Sequence, residues 1–158
     1  MSIHDAYMDG DYCNYSNKFK MLNIYLAARY SRNAEMRLYR DEIINIGHKV
    51  ISRWIDQHGG NLLESFVAEK LNSDPAYCSK FANIDIQDMQ NADIIISFTS
   101  KDGGGKGGRH FEFGWSIGMK KLNVIVGPRE HIFHTLPEIQ HFTNWDDCKK
   151  WLANPNLK

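Results

Sequence analysis

The stretch DIIISFTSKDGGGKGGRHFEFGWSIGMKK, residues 93–121, decides the fold. DIIISF (93–98) is apolar on both alternating faces, as a strand covered on two sides in the middle of a parallel sheet should be. A glycine-rich turn follows, and GGRHFEFGWSIGMKK (107–121) then reads as a helix carrying Glu112 near its start. That order places a carboxylate beyond the carboxyl end of a strand, where open α/β sheets bind small molecules. Glu112 is therefore the leading candidate for chemistry.

Working outward, MLNIYLAA (21–28) reads as a first buried strand, with Ser31 as the cap of the helix after it. Met36, Tyr39, Ile43 and Ile46 repeat at helical spacing, and Gly47 offers a left-handed stop. The β-branched, alternating HKVISRWI (48–55) predicts a second strand. In the less regular 56–80, LLESFVAEKL suits a short helix able to act as a flap over a site. Ser73 or Asp74 before Pro75 signals a helix running to Ala92. LNVIVG (122–127) is a fourth strand stopped at Gly127-Pro128, and IQHFT (139–143) a fifth. Asn144 caps a last helix, WDDCKKWLA. Strands alternating with helices imply an α/β domain, with a parallel sheet of about five strands and right-handed crossovers.

At 158 residues and 42% apolar, the chain suits one domain over residues 21–158, preceded by a polar arm, residues 1–20. Nineteen basic residues balance nineteen acidic ones, so no broad field favours a nucleic-acid polymer or an anionic membrane as partner. Cys13, Cys78 and Cys148 are few and scattered, which points to a reducing compartment and neither a disulfide framework nor a zinc knuckle. With no signal-like or membrane-spanning run, the expected localisation is cytoplasmic.

Gly103, Gly105 and Gly108 match GxGxxG, but in the wrong place. The dinucleotide fingerprint follows a unit's first strand and needs an acidic residue at the end of the next one; here the next strand ends in Gly127-Pro128. Lys106 precedes Gly107 and no Ser or Thr, so a phosphate loop of the Walker type is also excluded. Two readings survive: a solvent loop, or a loop whose amides meet an anion or a sugar at the helix start. Glu112 alone would be only a glutamate favourable to its helix dipole. Phe111, Phe113 and Trp115 add aromatic bulk, while Gly114 and Gly118 permit close approach. A carboxylate in such a partly dry pocket suits a nucleophile for glycosyl transfer. His131 and His134 form an HxxH pair, and with His110 and Glu112 they invite a metal reading. The spacing is not the four-residue helical one, and no metal is expected. The four tryptophans, spread along the chain, read as core or interface residues.

YLAARYSRNAEM, NIDIQDMQNADIIISF, GGRHFEFGWSIGMKK and VGPREHIFHTLP together resemble the nucleoside 2-deoxyribosyltransferase family, over roughly residues 21–153. The resemblance implies a flavodoxin-like, Rossmann-like three-layer sandwich that assembles as a homodimer or larger homo-oligomer. It implies no cofactor. The implied reaction is a double displacement on a small nucleoside or nucleotide, with a free nucleobase as second substrate. Glu112 matches the nucleophile, Tyr25 the tyrosine that places it, and Asp85 the aspartate associated with leaving-base protonation or substrate positioning. Asp93 matches a structural residue opening the central strand.

Ala27, Gly107 and Gly108 fall within the matching motifs and complete the expected substrate-binding set with Arg29, Arg32, Arg109 and His110. Relatives that hydrolyse 5′-monophosphates need phosphate donors in fork geometry. Arg109, adjoining the glycine loop, is the first choice and Arg29 another, whereas Arg32 is expected to be solvated. His110 either contacts substrate or caps the loop. The pattern departs from better-known transferases in its loop, GGGKGG with Asp102 at the start, and in lacking a clear carboxy-terminal asparagine for a neighbour's site.

Overall fold

The computed structural model describes residues 20–56, 70–101 and 107–155. Five strands, β1 (Asn23–Ala27), β2 (Lys49–Val50), β3 (Ile94–Phe98), β4 (Leu122–Val126) and β5 (Gln140–Phe142), form a parallel sheet in the order β2-β1-β3-β4-β5. This is the flavodoxin-like order, and its switch point lies between β1 and β3. The helices are α1 (Asn33–Ile46), α2 (Pro75–Asn91), α3 (Gly108–Gly118) and α4 (Trp145–Ala153). The expected flap falls largely outside the described residues, as do the arm up to residue 19 and the glycines at 103–105.

Strand alternation sorts the layers. Tyr25 pairs with Ile95 and Ile24 with Ile94, so Tyr25 and Phe98 point to opposite faces of the sheet. On Phe98's face, Tyr39 of α1 stacks between Phe98 at 5.2 Å and Trp145 of α4 at 4.5 Å. Tyr25's face receives α3 through Glu112. Every residue of β3 is buried, in keeping with a strand covered on both sides. Asp93 secures its start structurally: its carboxylate accepts from Asn23 N at 2.8 Å, and its amide donates to Asn23 O.

Most element signals are realised. Gly47 closes α1 at φ 103°. Asp74 caps α2 by accepting from Tyr77 N, with Pro75 at the first position. Asn144 caps α4 through Asp147 N. Gly127 has φ 113°, and a Cβ there would meet Thr99 Oγ1 at 2.5 Å, which explains the glycine after β4. Trp54 and Trp145 are buried, and Trp115 and Trp151 pack against the same core.

Two expectations are corrected. Ser31 does not cap α1; it is exposed within a 3-10 turn, Tyr30–Arg32, which delays the helix to Asn33. The second strand keeps only Lys49–Val50 of the predicted 48–55. Beyond it, side chains replace the ladder: Leu26 N donates to Ser52 Oγ at 2.6 Å, and Trp54 Nε1 donates to Leu26 O at 2.7 Å. Satisfying both Leu26 backbone groups this way lets Arg53–Ile55 turn into a 3-10 helix at no hydrogen-bond cost.

Candidate active site

The crevice at the carboxyl ends of β1 and β3 is where the candidate residues meet. Tyr25, fully buried in β1, donates its phenol hydrogen to Glu112 Oε1 at 2.6 Å. Glu112 reaches it because Gly107 turns the chain at φ 87° and starts α3 one residue later. Burial pushes the Glu112 pKa up to about 8. The Tyr25 hydrogen bond and the charge of Arg109 act against that rise, whereas Asp85 adds to it. Burial, with Glu112 and Asp85 near, also raises the phenol's pKa, so Tyr25 stays a neutral donor.

Asp85 comes from α2, half-buried, with a buried Oδ1 that lacks a hydrogen-bond partner. Burial first, then the like charge of Asp88, lift its pKa to about 7, and Arg53 counters them. Asp88 is buried one turn along the same helix and accepts from Arg53 N at 2.9 Å and Nε at 2.7 Å. Asp85 thus raises the proton affinity of Glu112, and both carboxyls bind a proton more tightly than carboxyls in water. One ionised and one protonated carboxyl is the complement that nucleophilic displacement with acid assistance needs.

The three arginines separate. Arg29, just past β1, has Nε and Nη2 buried without hydrogen-bond partners. Arg32 is not solvated as expected: both Glu35 oxygens engage it, at 2.6 and 2.8 Å, and its Nη1 donates to Thr99 O. Arg109 is engaged within the fold at its terminal nitrogens, while its Nε is buried without a hydrogen-bond partner. Its Nη2 is 2.7 Å from Glu130 Oε2, its Nη1 donates to Phe98 O, and both members of the ion pair are nearly buried. Ala27 is buried at the end of β1, and Gly108 and His110 are exposed on the first turn of α3.

His110 faces away from Glu112. Its ring lies 5.2 Å from His131, whose ring is 3.8 Å from that of His134. Buried His134 accepts from Glu130 N through Nδ1, and burial followed by the His131 charge lowers its pKa to about 4. Among the described residues, no group of three or more His, Cys, Asp or Glu side chains has the arrangement of a metal site. A pocket of about 870 Å³ opens on this flank, between His110, Phe113 and Ile117 of α3 and Glu130, His131 and Phe133, and does not include Tyr25, Asp85 or Glu112.

Sequence reasoning missed the two ion pairs that brace the site. Asp88 was within reach, since Asp85 and Asp88 lie one helical turn apart on one face. Glu130 was not, because nothing in local spacing ties it to Arg109 across 21 residues.

Neither a protein-family model nor a curated protein matches this chain. Solved structures do. A 2-deoxyribosyltransferase from the psychrotolerant bacterium Bacillus psychrosaccharolyticus superposes with a TM-score of 0.58 at 19% identity, over 80% of this chain and 90% of that one. The Clostridium botulinum CMP N-glycosidase BcmB aligns at a TM-score of 0.49 and 18% identity, over 82% and 94%. At such identity the first likeness establishes a shared fold.

Proposed function

We propose that this protein cleaves the N-glycosidic bond of 2′-deoxynucleosides and transfers the deoxyribosyl group to another nucleobase. The carrying observation is the Tyr25–Glu112 hydrogen bond at 2.6 Å, with Asp85 close enough to perturb both groups. It is supported by the motif resemblance and by a fold shared with a 2-deoxyribosyltransferase.

In the first displacement the Glu112 carboxylate attacks C1′, the N-glycosidic bond breaks, and its electron pair leaves with the base. Asp85 gives that base a proton, which lowers the barrier because the leaving nitrogen gains charge as the bond stretches. The sugar becomes oxocarbenium-like, and its positive charge favours the ionised form of Glu112 that burial disfavours. Tyr25 holds Oε1 and leaves Oε2 to form the covalent ester. In the second displacement an incoming base attacks C1′, returns its proton to Asp85 and releases Glu112. The chemistry calls on no metal or organic cofactor. We also propose a homo-oligomeric assembly, tested by sedimentation.

A second reading, hydrolysis of a deoxynucleoside 5′-monophosphate, is favoured by one observation. Arg29 presents two buried guanidinium nitrogens without partners beside the crevice, the donors a phosphate takes up. Water then replaces the acceptor base. A non-catalytic nucleotide-binding module, with Glu112 bonding a ribose hydroxyl, is the alternative from another class.

Product analysis decides among them. Deoxynucleosides and their 5′-monophosphates are incubated with the protein, each with and without a second free base. An exchanged nucleoside supports the transferase; free base with deoxyribose 5-phosphate, indifferent to the acceptor, moves the assignment to the hydrolase. No product from folded protein overturns both enzyme readings. Glu112→Ala then separates turnover from binding.

A further inference from the structure

Glu130 lies in the segment after β4, far from Glu112 in sequence, yet it is wired to the nucleophile's helix. Its Oε1 accepts from Ser100 N at 3.2 Å and from Arg109 Nη2 at 2.9 Å, and Arg109 Nη1 donates to Phe98 O at 3.3 Å. The Arg109 and Glu130 side chains are only 8% and 11% exposed. One ion pair thus joins the end of β3, the chain beyond it, the first turn of α3 and the segment after β4. Arg109 also sits three residues before Glu112, a separation that brings side chains together on a helix. An unclamped guanidinium there could turn onto the Glu112 carboxylate and occupy the oxygens that C1′ must approach.

We propose that Glu130 is a positioning residue for Glu112: it clamps Arg109 against the end of β3, fixes the first turn of α3 and keeps the guanidinium off the nucleophile. The inference rests on the reading of Glu112 as nucleophile. Tyr25 from β1, Asp85 from α2 and Arg109 from α3 act on Glu112; Arg109, His110, His131 and His134 surround Glu130. With the negative charge of Glu130 gone, Arg109 is free to favour the ionised form of Glu112 more strongly. With Arg109 gone, that form loses support. The two removals therefore have opposite signs.

The test is a carboxyl-carbon NMR titration of the wild type, Glu130→Gln, Glu130→Asp and Arg109→Gln, with the Glu112 signal identified by its loss in Glu112→Gln. The Glu112 midpoint is expected to fall in Glu130→Gln, return toward the wild-type value in Glu130→Asp and rise in Arg109→Gln. On a substrate from the product panel, Glu130→Gln should lower kcat about tenfold with KM nearly unchanged, the signature of a misplaced group. A folded Glu130→Gln with reduced Tm but an unmoved midpoint would mark a purely structural brace and overturn the proposal. Should that variant not fold, an unmoved midpoint in Arg109→Gln overturns it equally. A silent substrate panel defeats the proposed function instead, and leaves the titration free to judge the clamp.

Discussion

The two flanks of α3 bury titratable groups to opposite effect. Toward β1 and α2, burial raises the proton affinity of Glu112 and Asp85, so carboxyls hold protons where they normally release them. Toward the segment after β4, burial lowers the proton affinity of His131 and His134, so imidazoles refuse protons. The same physics, a penalty on charge away from water, acts on both. The carboxyl flank thereby holds its protons up to higher pH. The histidine flank keeps rings that pack against Phe113, tilted for His131 and edge-on at 4.7 Å for His134. On the proposed reading, the first flank reacts and the second supports it.

The comparison breaks most sharply at Glu112. Glu112→Gln keeps the shape and a hydrogen-bond acceptor for Tyr25 but not the nucleophile, so turnover should fall by at least about 10³-fold in a steady-state assay. Activity near the wild-type level would end the idea of a reactive flank. Asp85→Asn should cost about 10²-fold, the usual reach of a positioned acid. For the wild type, kcat/KM should be bell-shaped with its maximum between the values of about 7 and 8 that bracket the carboxyl pair. One limb should vanish in Asp85→Asn.

Stability against pH separates the flanks by sign. The carboxyls have raised affinities, so their contribution is complete below the unfolded values near 4 and is lost as pH climbs through about 7 to 8. Glu112→Gln should thus melt a few degrees above the wild type at pH 8.5, and the gap should narrow by pH 5 in calorimetry. The histidines have lowered affinities, so their contribution is present above about pH 6.5 and is lost as pH falls toward about 4. His134→Asn keeps an acceptor for Glu130 N, and its Tm should decline less than the wild type's from pH 6.5 to 4. Parallel melting curves would show that His134 does not report on its flank.

How much of this the sequence carried depends on the range of the interaction. DIIISF and LNVIVG announced β3 and β4 because a strand covered on both faces is mostly apolar along its length. Gly47, Asp74 and Asn144 were readable because caps act within a turn of their own helix. The meeting of Tyr25 with Glu112 across 87 residues came through the motif resemblance, since periodicity holds no record of such a contact. The partners of Arg32 and Arg109 were hidden for the same reason. A charge reads as available until its partner is known, and Glu35 and Glu130 claim these two only once the chain has folded. Strand two was overcalled because alternation registers apolar residues and cannot foresee Ser52 and Trp54 taking the place of a ladder.

That substitution also bears on how copies of the chain coexist in solution. An open strand edge is a template on which another polypeptide can build, the first step toward aggregates. Here β2 offers two residues, and just past it the Ser52 and Trp54 side chains already occupy both backbone groups of Leu26. A stray strand arriving at this side of the sheet would find almost nothing to zip onto. Trp54, read from the sequence as a core or interface residue, doubles as a guard against stray strand addition at this edge.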